Sequence, residues 1–241
     1  MNSQIAERRE KLKKGFPLLF KDVQMSIGIG PRYQAYTFGN CDVTAENCEA
    51  VEAAKQYTQA IITNSEAQGL YLCGDVGTGK TLLAAAIANQ LIFSHLVARA
   101  KHNDTIFISY ADGYRHSSPA QISPVRFFST ADLFQRIRAS FNFNYADCDV
   151  ENIPEDLVKV CKKVPVLVLD DFGAEKPTEW VQEQFFSIID HRYVHLLPLI
   201  LTSNLSPQEV EQTYGPRISD RIRDYCRVEM LTGKSQRTTA E

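Results

Sequence analysis

No two of the six cysteines stand in C-x-x-C spacing, and the formal net charge is only -3. Thiols scattered at 41, 48, 73, 148, 161 and 226 argue against a zinc site and against a secreted disulfide framework, and fit reduced cysteines of a cytoplasm. The slight net charge offers no global attraction to nucleic acid or to an anionic membrane, so any polyanion site has to be a local patch. The first residues, MNSQIAERREKLKKG, lack the apolar core of a signal peptide, and no stretch is read as the roughly 18 apolar residues that a membrane helix needs. Internal repeats and low-complexity tracts are also absent. The expectation is a cytoplasmic protein without membrane attachment. What is present, 241 residues at 44% hydrophobic content, suits one large domain with a full core.

Strand-like and helix-like segments alternate along the chain, the pattern of an α/β domain with a parallel sheet. The runs LYLC, VRFFS, VPVLVLD and PLILTSN are continuously apolar, as strands covered on both faces are, and CRVEML adds a fifth. Helical periodicity falls between them, in TLLAAAIANQLIFSHL, TADLFQRIRASF and TEWVQEQFFSIIDHRY. An earlier helix follows Thr44 and carries Val51, Ala54 and Tyr57 on one face. The polar stretch 99–124, with TIFISY embedded in it, reads as a surface insertion, a hairpin by composition. Residues 1–28 read as a basic arm that binds a partner or is disordered, with six Lys or Arg against two Glu in the first 21.

GDVGTGKT, at 74–81, matches G-x-x-x-x-G-K-[ST] with a strand before it and a helix after it, which is the context that pattern requires. Gly74, Asp75, Val76, Gly77, Thr78, Gly79, Lys80, Thr81 and Leu82 are therefore expected to hold a nucleotide. Glycines let the loop curl so that backbone N–H groups face phosphates, Lys80 sets a charge near the β- and γ-phosphates, and Thr81 offers a hydroxyl to Mg²⁺. A magnesium nucleotide also needs a carboxylate at the end of a neighbouring strand. VPVLVLDDFG supplies Asp170 for the metal and Asp171 to orient or deprotonate the attacking water, with Glu175 in reserve as a base. Asn204, at the tip of LILTSN, can hold water or the γ-phosphate without adding negative charge. A turn-forming asparagine explains the same position equally well.

GDVGTGKTLLAAAIANQL, VLVLDDFGAEKPTEWVQEQFFSIIDHRY, LILTSNLSP and YGPRISDRIRDYCRVEMLTG together resemble the bacterial helicase loaders of the DnaC/DnaI type, and the related IstB-type transposition helpers, in the AAA+ superfamily. The resemblance runs from about Ile29, where IGPRYQAYTFGNCDV fits the family's lead-in, to the C-terminus. It implies a P-loop NTPase domain over 29–241: three α/β/α layers, a five-stranded parallel sheet in order 5-1-4-3-2, and no full helical lid. It further implies an ATPase using ATP and Mg²⁺ in a homo-oligomer with shared sites. Arg221, with Arg217 second, resembles the arginine that reaches a neighbour's γ-phosphate, and Arg237 the arginine that reads the nucleotide within its own subunit. The helix STADLFQRIRASFNFNY lies where loaders contact single-stranded DNA, and offers Arg136 and Arg138 beside Phe141, Phe143 and Tyr145. The implied client is a DnaB-type replicative helicase. A transposase client, or a nucleotide-gated DNA adaptor that hydrolyses little, are the alternatives.

Overall fold

Residues 69–73, 125–129, 166–172, 199–203 and 226–230 form β1 to β5, so all five apolar runs become strands. The structure, a computed structural model, describes residues 2–65, 67–102, 105–114, 118–141, 155–233 and 235. The sheet is parallel throughout, in the order β2-β3-β4-β1-β5. That is the expected order, and it sets β4 between the two strands whose ends carry the phosphate loop and the aspartates.

Alternation along the strands sends side chains into two cores, because successive residues point to opposite faces. Leu70, Leu72, Val168 and Ile200 pack with α2 (Cys48–Ile62) and α3 (Lys80–His102). Tyr71, Leu167, Leu169 and Leu201 pack on the other face with α5 (Thr130–Phe141) and α7 (Glu179–Val194). The helices α6 (Leu157–Lys163), α8 (Pro207–Tyr214) and α9 (Pro216–Tyr225) add buried Cys161, Val210 and Ile222 to that second core. At the sheet's lower end the fully buried Arg192 donates to the carbonyls of Cys161, Val164, Pro165 and Pro198, so four main-chain acceptors are satisfied by one side chain.

Two expectations change. Residues 2–26 form a 25-residue helix, α1, whose Leu19 and Val23 are buried, with Ile27 just beyond, so this segment packs into the core as well as carrying charge. TIFISYA is helix α4 (Thr105–Ala111), not a hairpin, because its Phe107 and Tyr110, three apart, are both buried. Phe107 stacks on Phe16 of α1 with ring centroids 5.6 Å apart. Contrary to the expectation that no stretch is apolar enough, α3 is long and apolar enough to cross a membrane by length and composition. Here it is a core helix, with Leu83 to Asn89 buried in sequence.

Candidate nucleotide site

The loop after β1 turns three times through left-handed backbone, at Gly74, Gly77 and Gly79, with φ values of 139°, 88° and 97°. Residues with a Cβ resist these angles, so the glycine positions are dictated by the curl. Close approach adds to this at Gly74, where a Cβ would overlap the Leu231 carbonyl of the segment after β5. Inside the curl the Lys80 ammonium donates to the carbonyls of Gly74 and Asp75, 2.7 Å each, and so holds the loop closed around its own charge. Burial lowers the Lys80 pKa, against the opposing pull of Asp171, Asp75 and Asp170.

Asp170 is buried at the end of β3. One hydroxyl organises it and its neighbour: Thr202 of β4 donates to the Asp170 carboxylate at 2.6 Å and accepts the Asp171 N–H at 2.9 Å. The β3–β4 register shifts between Leu169 and Phe172, and Asp171 takes a positive φ of 56°. Adjacent aspartates in a regular strand would point to opposite faces; the irregularity re-aims Asp171, which lies exposed in the cleft. Thr130 secures the same corner from below, donating to the carbonyls of Asp170 and Asp171 at 3.2 and 2.8 Å. Burial raises the Asp170 pKa, while the hydroxyls of Thr202 and Thr81 and the Lys80 charge oppose it. A carboxylate so buried, with a Thr81 hydroxyl beside it, suits a hard divalent cation that takes its remaining oxygens from phosphate and water.

One cleft is lined by Tyr33, Val76, Gly77, Lys80, Thr81, Asp171 and Asn204, so the structure brings the phosphate loop, the second aspartate and the asparagine together. Thr78, Gly79 and Leu82 also border a recess with Tyr36, Asp42, Asn47 and Val51 that holds about 10 Å³, room for no more than a water. Glu175 is half-buried and its two oxygens meet no donor at hydrogen-bonding geometry, since the nearby Thr130 hydroxyl is committed to the main chain. Burial raises its pKa.

Arg221 is not in this cleft. Its Nε donates to Asp190 at 2.8 Å, and its guanidinium lies 4.7 Å from the Tyr193 ring, on the outer side of α7 and α9. Arg217 is exposed on α9. Arg237, Phe143 and Tyr145 lie outside the described residues. On α5, Leu133, Phe134 and Ile137 face the core while Arg136, Arg138 and Phe141 do not. Arg136 sits 3.9 Å from Asp132. Arg138 caps the Trp180 ring at 4.9 Å, and Phe141, 68% exposed, meets the same ring edge-on. Sequence reasoning missed Trp180, Thr202 and Thr130; Thr202 was visible only as part of LILTSN, since its two-way bond needs two strands side by side.

No protein-family model matches the chain. It is 26% identical over 185 residues to the replicative helicase loader DnaI of Bacillus subtilis, covering 75% of this chain and 48% of that one. A crystal structure of the DnaC helicase loader superposes with a TM-score of 0.58 at 22% identity, over 84% of this chain and 100% of that one. The chain is thus similar in sequence to a DnaI loader and shares the fold of a DnaC loader. A structure of the replication initiator DnaA bound to AMPPCP and single-stranded DNA shares the fold too, with a TM-score of 0.59 at 23% identity over 86% of this chain and 52% of that one. The chain spans about half the length of the curated proteins it matches.

Proposed function

We propose that this chain is a cytoplasmic ATPase that assembles on single-stranded DNA and delivers a DnaB-type replicative helicase. The observation that supports it most is the convergence of Lys80 and Thr81 with Asp171, distant in sequence, at one cleft, with buried Asp170 against the Thr81 hydroxyl, in a loader-like fold. Gly74 to Leu82 cradle the phosphates; Thr81 and Asp170 hold Mg²⁺, which when bound neutralises charge on the β- and γ-phosphates. Asp171 takes the proton of the attacking water, and Asn204 orients that water or the γ-phosphate. Arg221, from a neighbouring copy, exchanges its bond to Asp190 for the γ-phosphate and stabilises charge in the transition state. Arg237 is assigned to the nucleotide of its own subunit. Arg136, Arg138 and Phe141 give single-stranded DNA charges for its phosphates and a stacking face for its bases.

Calorimetry with ATP and phosphate-release assays on wild type, Lys80→Ala and Asp171→Asn test the chemistry. Lys80→Ala should lose binding, and Asp171→Asn should keep binding while losing turnover by a factor on the order of 100 or more. Unchanged turnover in both variants overturns the hydrolytic role and leaves a nucleotide-gated adaptor. Pull-down with a replicative helicase tests the client; retention of a transposase instead favours a transposition helper.

A further inference from the structure

Arg32 is the cation of the phosphate-loop cleft that the loader reading leaves without a task. It projects from the 3₁₀ turn Pro31–Tyr33 and lines the same cleft as Val76, Gly77, Lys80, Thr81, Asp171 and Asn204. Among the described residues its side chain has no hydrogen bond and no ion pair, in contrast to Arg221, Arg223 and Arg227, each paired with a carboxylate. An exposed arginine free of any acid partner, in the same cleft as the phosphate-loop lysine, is poised for an anion.

The turn that carries it is anchored. Buried Gln24 of α1 donates to the Asn89 side chain of α3 at 2.8 Å and to the Gln34 carbonyl at 2.9 Å. Buried Asn89 in turn donates to the carbonyls of Tyr33, at 3.1 Å, and Tyr36, at 2.8 Å. A satisfied buried polar pair of this kind holds main chain in one place, so Arg32 leaves from a fixed base. The neighbours distinguish which part of a nucleotide it would meet. Arg32 shares its cleft with Asp171 and Asn204, where the terminal phosphate belongs.

We propose that Arg32 is a cis-acting arginine that binds the terminal phosphate of the nucleotide, so that one subunit distinguishes triphosphate from diphosphate before any neighbour arrives. This rests on the reading of the cleft as a nucleoside triphosphate site. The test titrates AMPPCP and ADP, each with magnesium, into wild type, Arg32→Ala and Arg32→Lys. Arg32→Ala should weaken AMPPCP on the order of 10- to 100-fold while leaving ADP nearly unchanged, and Arg32→Lys should recover part of the loss. Equal losses for both nucleotides would place Arg32 on the base, ribose or inner phosphates and overturn the proposal, as would no loss in either. Wild type that binds neither nucleotide sinks the triphosphate reading along with this one; wild type that binds while Arg32→Ala matches it sinks this one alone.

Discussion

At the scale of residues, the corner of the cleft depends on how few hydroxyls satisfy how many groups. Thr202 and Thr130 between them bind the Asp170 carboxylate, the Asp171 N–H and both aspartate carbonyls, which leaves the Asp171 carboxylate free to face the cleft. Glu175 sits half-buried behind this corner, and burial raises its pKa above the ordinary carboxylate value, outweighing the nearby Thr130 hydroxyl and the Glu175 and Gly173 N–H groups. A carboxyl whose folded pKa exceeds its unfolded value favours the fold below the unfolded pKa, and that contribution is lost as pH rises through the folded pKa. Glu175→Gln is neutral at every pH, so in urea melts its stability relative to wild type should rise between pH 4 and pH 7. A gap that is flat, or that closes toward neutral pH, contradicts a raised Glu175 pKa.

At the scale of elements, α1 and α4 show tertiary packing overriding local signals. Leu12, Phe16, Leu19, Phe20, Val23 and Ile27 recur at helical spacing, but Gly15 and Pro17 interrupt the pattern and read as a break. The structure explains Gly15: a Cβ there would overlap the Phe107 carbonyl, so α1 and α4 cross where α1 has no side chain. TIFISY, rich in β-branched and aromatic residues, reads as strand because its partner, α1, is nearly a hundred positions away. Gly15→Ala gives a clean test, because in an unpacked helix it stabilises by about 1 kcal/mol. Here it should instead destabilise by about 1 to 3 kcal/mol, as overpacking does, seen as a lower urea midpoint with unchanged slope. A stabilised variant would mean that the helices do not cross at Gly15.

At the scale of the whole molecule, the cleft and Arg221 lie apart, with Arg221 paired to Asp190 outside α7. If sites are shared between copies, then a subunit lacking the arginine and one lacking the acid spoil different sites. Mixtures of Arg221→Ala with Asp171→Asn should therefore recover part of the phosphate release that each variant loses alone. Recovery no better than the average of the two variants speaks against a shared site.

Much of this architecture was legible along the chain, because its signals are local. Continuous apolar runs mark strands buried on both faces, and the glycines of GDVGTGKT mark a curl that other residues resist, as the three positive φ values bear out. The sheet order, in contrast, came with the resemblance to loaders, since no local pattern specifies which strands pair. Tertiary structure alone decided the bulge that turns Asp171 into the cleft, the α1–α4 crossing, and the seating of Arg32 by Gln24 and Asn89. Each of these joins residues from separate elements, and a hydrogen bond or a packing contact between them exists only once the chain has brought them within a few ångströms of one another.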